Sequence, residues 1–164
     1  MADAIDDGSG ELGARSPRAE VRHETARLRR NRKDIWLAIS GLVGGLLALP
    51  LAQSTWHGPE VAAVLAVSAT ALFAGQRWAI AVIVIGDLFL LPTVWPRAFL
   101  EGDLVSRTLA LVTLAAIAPG LIEMRRAAAV LVVMTGQRRT RQMCRRVHVG
   151  LIALSVIAVL VPLL

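Results

Sequence analysis

The chain has 164 residues, a net charge of +6 and 55% hydrophobic residues, and its mean hydropathy is +0.61. A soluble domain holds ~45–50% apolar residues in periodic stripes, whereas here they come in long blocks with the charges swept into the gaps. This pattern excludes a large soluble domain. It also excludes nucleic acid as the partner of the positive charge, because the arginines stand beside apolar blocks, where they set membrane topology.

A single cysteine, Cys144, excludes an intrachain disulfide. Lys33 is the only lysine, a bias toward arginine that suits a GC-rich bacterial genome. The composition predicts an all-α, polytopic helical membrane protein with about five transmembrane helices and a basic cytoplasmic N-terminal arm.

Residues 1–15 carry Asp3, Asp6, Asp7 and Glu11 with few large apolar residues and read as a disordered acidic tail. Residues 16–34 read as a basic juxtamembrane helix, with Ser16 as N-cap and Pro17 at the first helical position. Its basic residues include Arg27, Arg29, Arg30, Arg32 and Lys33, and the expected partner is the anionic headgroup layer of the bilayer. Its face at Val21, Thr25 and Leu28 is too weakly apolar to bury much. A docking arm for a cytoplasmic partner is the sharper alternative.

The transmembrane domain is expected over residues 35–164, beginning with a span at 35–55 between Trp36 and Trp56. Its end resembles a signal-peptide cleavage site, but Pro50 stands where a small residue belongs and further apolar blocks follow, so it is read as a retained span. Gly41 and Gly45 form a GxxxG pair, with Ser40 and Gly44 as a parallel small pair, a spacing that lets helix backbones approach closely.

The second span is expected at 60–75, where Ala62, Ala66, Thr70 and Ala74 repeat at every fourth residue and predict a packing face. The short turn at Gly75, Gln76 and Arg77 predicts an antiparallel neighbour. The third span, at 78–95, is apolar except for Gly86 and Asp87 at its middle and Thr93 near its end. Its length suits the ~20 residues that cross a bilayer, and an ionised side chain at that depth costs roughly 2.5–3.5 kcal/mol on insertion scales. Asp87 therefore needs a partner, a proton or a water-filled cavity. Pro92 is expected to loosen this helix, and Pro96 with Arg97 to end it.

Asp103 is a plausible N-cap for a fourth span at 104–122, and Arg107 lies one turn inside. Helix rise sets Asp87 ~12 Å below Trp95 and Arg107 ~4–5 Å below Leu104, so an ion pair is expected if the spans adjoin; snorkelling of Arg107 to the interface is the alternative. Residues 127–134 are apolar but too short to span. Arg138, Arg139, Arg141, Arg145 and Arg146 follow, and a last span is expected at 147–164.

With five spans, the N-terminal arm, Arg77 and the arginines at 125–146 fall on one side. The positive-inside rule makes that side cytoplasmic, which predicts a bacterial inner (cytoplasmic) membrane protein with a cytoplasmic N-terminus. The four tryptophans sit at span ends, as indoles at interfaces do.

Cys144 and His148 share an i,i+4 spacing, but a metal site needs three or four ligands and nothing supplies the others. His23 and His57 form no pair. No nucleophile elbow, phosphate loop, HExxH or paired acidic motif is present, so no catalytic residue, metal or cofactor is expected. A membrane-embedded lipid enzyme has no motif behind it, and the reading leans away from an enzyme. The leading expectation is a subunit, assembly factor or scaffold of a membrane complex, packed against other membrane subunits or itself. The alternative is a small proton- or cation-coupled transporter or channel centred on Asp87, with Arg107 beside it.

Overall fold

The structure is a computed structural model that describes residues 17–52, 58–100, 103–138 and 140–163, with α1 side chains described at residues 32–51. The acidic tail, Ser16, Trp56, His57, Glu101, Gly102, Arg139 and Leu164 lie outside the described residues, as do the side chains of Arg27, Arg29 and Arg30. The helices are α1 (Pro17–Ala52), α2 (Gly58–Phe73), α3 (Trp78–Phe99), α4 (Leu104–Ile122), α5 (Met124–Met134) and α6 (Arg141–Leu160), followed by a 3-10 turn at Val161–Leu163. No strand occurs among the described residues.

The chain divides into two units, Met1–Arg32 and Lys33–Leu164. In the first, the described residues are the helical start of α1, which begins at Pro17, where its preset φ suits the first helical turn. The packing described next is that of the second unit.

Four helical stretches are long and apolar enough to cross a membrane: Arg32–Leu51, Trp78–Phe99, Leu104–Ile122 and Arg141–Leu160. They mark a membrane protein. The expected second span is α2, apolar over Pro59–Phe73 but shorter than these four.

The hub is α3, which touches α2, α4, α5, α6 and the closing turn, and is met by α1 where Gly41 faces Ile83. Its buried residues, from Ala79 and Ile80 through Ile83, Val84 and Asp87 to Val94 and Ala98, cover more than half of its circumference, and Trp78 and Phe89 stay exposed on the remaining, equally apolar strip. A helix apolar on all sides belongs in the middle of a bundle. The peripheral helices instead bury one seam. On α1 it is Leu37, Gly41, Gly44, Ala48 and Leu51; on α2, Ala62, Leu65, Ala69 and Leu72; on α4, Ala110, Thr113, Ile117 and Gly120. Steps of three and four residues hold a seam on one side of a helix.

Close packing is set by small residues. A Cβ at Gly45 would stand 3.3 Å from Cβ of Leu65, and one at Gly86 would stand 2.7 Å from its Cδ2. Leu65 of α2 thus sits against bare backbone on both α1 and α3. A Cβ at Gly44 would meet Cγ2 of Ile117 at 2.7 Å, and the Ser40 hydroxyl donates to the Ala116 carbonyl, so α1 also lies against α4.

The connections follow local chemistry. Gly75, at φ +84, closes α2 with bonds from its N–H to Leu72 and from Gln76 N–H to Ala71, the paired bonds of a Schellman ending. Asp103 caps α4 by accepting from Ser106 N–H at 3.0 Å. Pro96 does not stop α3, which continues to Phe99 with Leu100 N–H bonded to the Pro96 carbonyl at 2.7 Å. In its last turn a proline forfeits one bond without interrupting a long ladder. The apolar piece at 127–134 lies in α5, whose Met124, Ala127, Ala128 and Val132 are buried in contact with α3 and α6. The last helix starts at Arg141, ahead of the expected 147, because Thr140 caps it by accepting from Met143 N–H.

Candidate functional site

Asp87 sits midway along α3 and is fully buried. Neither carboxylate oxygen has a hydrogen-bond partner. Buried polar groups normally find one, because an unsatisfied group keeps its full desolvation cost. Two polar side chains buried on neighbouring helices do so: Ser40 donates to Ala116, and Thr113 donates to the Leu109 carbonyl at 2.8 Å, whereas the buried His148 Nδ1 on α6, like Asp87, has no partner.

What Asp87 meets is Gly120. A Cβ built there would lie 1.8 Å from Oδ2 and 2.9 Å from Cγ of Asp87. The missing side chain opens the groove in which the carboxylate lies. Gly120 belongs to the last turn of α4, after Pro119, and α4 ends at Ile122. Glu123 follows with φ −85 and ψ 10, its N–H bonded to the Pro119 and Gly120 carbonyls, and α5 starts at Met124. The carboxylate therefore lies beside the last turn before the break between two helices, and that turn carries the negative end of the α4 dipole.

Arg107 is not brought to Asp87. It is exposed, and thirteen residues of helix separate it from Gly120, about 20 Å along the axis. The expected ion pair took the tops of α3 and α4 as level. The pairing of Asp87 with Gly120 places Arg107 far up α4, and its position suits the snorkelling alternative.

An ion cluster closes the corner below. Arg126 of α5 bonds the Asp34 carboxylate of α1, and its Nη1 lies 3.4 Å from Glu123 Oε2. All three side chains are about a quarter exposed or less. These residues were missed in the sequence, since Asp34 and Arg126 lie 92 positions apart. Gly120 is not singled out by the sequence reading either, although a Pro-Gly pair inside an apolar helix is a signal that can raise it.

Of the predicted packing residues, Gly41, Gly45 and Ala62 are buried, Ala66 is half-buried, and Thr70 and Ala74 are exposed. Steps of four advance 400° on a helix of 3.6 residues per turn, so the row turns about 120° out of the seam between Ala62 and Ala74. Arg32, Lys33, Arg138, Arg141, Arg145 and Arg146 are exposed, as residues meeting headgroups or water must be. Cys144 and His148 are half-buried, and no group of three metal-ligating side chains occurs among the described residues.

Comparison with protein-family models, with curated proteins and with solved structures finds no match to this chain.

Proposed function

We propose that the protein is a subunit, assembly factor or scaffold of a membrane complex in the bacterial inner membrane, with a cytoplasmic N-terminus and its arginine clusters on the same side. One observation carries this reading, the outer surface of α6. That helix is long and apolar enough to span, yet only 6% of its apolar stretch is buried inside the protein, against 61% for α3. A Cβ added at Gly150 would meet nothing within 4 Å. A helix-interior glycine costs roughly 0.5–1 kcal/mol relative to alanine. No contact among the described residues uses it, whereas a helix of another subunit or a second copy would, because backbones pack closely at glycine. The decisive experiment is purification of the tagged protein in mild detergent at native expression, with mass and co-purifying proteins determined. A stoichiometric partner is expected; a lone monomer or a homo-oligomer would overturn the reading in favour of transport.

A second reading, a small proton- or cation-coupled transporter or channel, is favoured by the unpartnered carboxyl of Asp87. It expects ion flux in liposomes that Asp87→Asn abolishes while the fold is kept. Full flux in that variant would remove it.

A further inference from the structure

Asp87 is set apart by its combination of surroundings. Its carboxylate is fully buried with both oxygens unpartnered, and it lies against the closing turn of a helix that breaks at Glu123. Every helix packed on α3 carries charged or titratable groups somewhere, and the closing turn carries none. Among the described side chains they are Arg32, Lys33 and Asp34 on α1, Glu60 on α2, Arg107 on α4, Glu123 at the corner, Arg125 and Arg126 on α5, and Arg141, Cys144, Arg145, Arg146 and His148 on α6. None of them hydrogen-bonds to the Asp87 carboxylate. Asp34, Glu123 and Arg126 engage one another instead.

Two like-signed features therefore meet inside an apolar bundle. One is a full negative charge whenever Asp87 is ionised. The other is the carbonyl end of α4, worth roughly half a negative charge. A buried charge persists only when it is paired or coordinates a cation. A cation between the two would be drawn by both, which is why interrupted membrane helices hold coupling ions at their carbonyl ends.

We propose that Asp87, lodged against Gly120 beside the α4–α5 break, is the binding site of a small cation, a proton or a monovalent metal ion, taken up reversibly by the carboxylate with the carbonyl end of α4 as its second wall. The site stands whether the protein carries the ion across the membrane or only holds it, so it does not depend on the transport reading.

The test is labelling of the intact protein in phospholipid vesicles with dicyclohexylcarbodiimide, an apolar reagent that attacks protonated carboxyls, followed by peptide mass spectrometry. Labelling is measured from acidic to alkaline pH in choline chloride, then with sodium, lithium or potassium chloride. Asp103, exposed at the head of α4, is the internal reference, and Asp87→Asn assigns the modified peptide. For a proton site, labelling at Asp87 falls about tenfold per pH unit beyond its midpoint, as loss of a single proton requires, and is indifferent to the salt. For a metal-ion site, one of the alkali cations suppresses it at fixed pH and choline does not. Labelling that responds to neither pH nor cation overturns the proposal, as does no labelling of Asp87 under any condition in protein that stays folded. The expected labelling without ion flux keeps the site and removes transport alone.

Discussion

Gly120 of α4 and Asp87 of α3 fit together so closely that a methyl group on the glycine would stand 1.8 Å from the carboxylate oxygen Oδ2. Neither residue can change size alone. Gly120→Ala is expected to lower stability by about 1–3 kcal/mol, the usual cost of overpacking. Adding Asp87→Ala should return most of the loss, because it removes the atoms in conflict. A double-mutant cycle by thermal unfolding in detergent reads this coupling, and additive effects would show that the two residues do not meet.

Asp87→Asn keeps the side-chain shape and removes the charge. The carboxylate has no hydrogen bond to lose, and an amide of the same shape avoids the desolvation cost of an unpaired buried charge. The variant is expected to unfold at the same temperature as the wild type or above it. A clear drop in midpoint would reveal a structural partner for the carboxylate.

Glycines inside and outside the bundle should respond in opposite ways. Gly45→Leu pushes side-chain atoms into Leu65 and the Ala62 backbone, 3.3 and 3.5 Å from the glycine's own Cβ position, and is expected to cost about 1–3 kcal/mol. Gly150→Ala has open space and should leave stability unchanged or raise it by up to about 1 kcal/mol. If α6 docks a partner, Gly150→Leu folds normally and loses that partner in co-purification.

The Asp34–Arg126–Glu123 cluster predicts a contrast between adjacent arginines. Arg126→Met is expected to cost about 1 kcal/mol, the upper range for a partly exposed pair. Arg125 is exposed, and its change to Met should stay within ~0.5 kcal/mol. In an Asp34→Asn background the Arg126 effect should shrink. Urea titration of the four proteins checks this.

Much of this arrangement is written locally in the sequence. Apolar runs predicted five spans, of which four are long and apolar enough to cross a membrane while α2 is shorter; Gly75 gave the turn into α3 and Asp103 the cap of α4, since each depends on residues within a few positions. Asp87 stood out because one carboxyl in an apolar run has a cost independent of its neighbours. The role of α3 as hub was not legible, because its composition differs little from that of the other spans and its neighbours are chosen by packing. Nor was the identity of the group facing Asp87. That depends on the axial offset between α3 and α4, which the 100–103 connection does not specify. The row at every fourth residue on α2 misled for a geometric reason, since a helix of 3.6 residues per turn carries such a row out of the interface.

The central position of α3 has a consequence for how the protein is made. A ribosome delivers α3 after α1 and α2 but before α4, so Asp87 enters the membrane ahead of the glycine that receives it. For that interval the carboxyl has only the first two helices and lipid around it. A nascent chain cut at residue 100 should therefore insert α3 less completely than one cut at residue 136, and Asp87→Leu should erase the difference. Glycosylation mapping in microsomes would read both. Equal insertion of the two lengths would mean that α1 and α2 alone already shelter the acid.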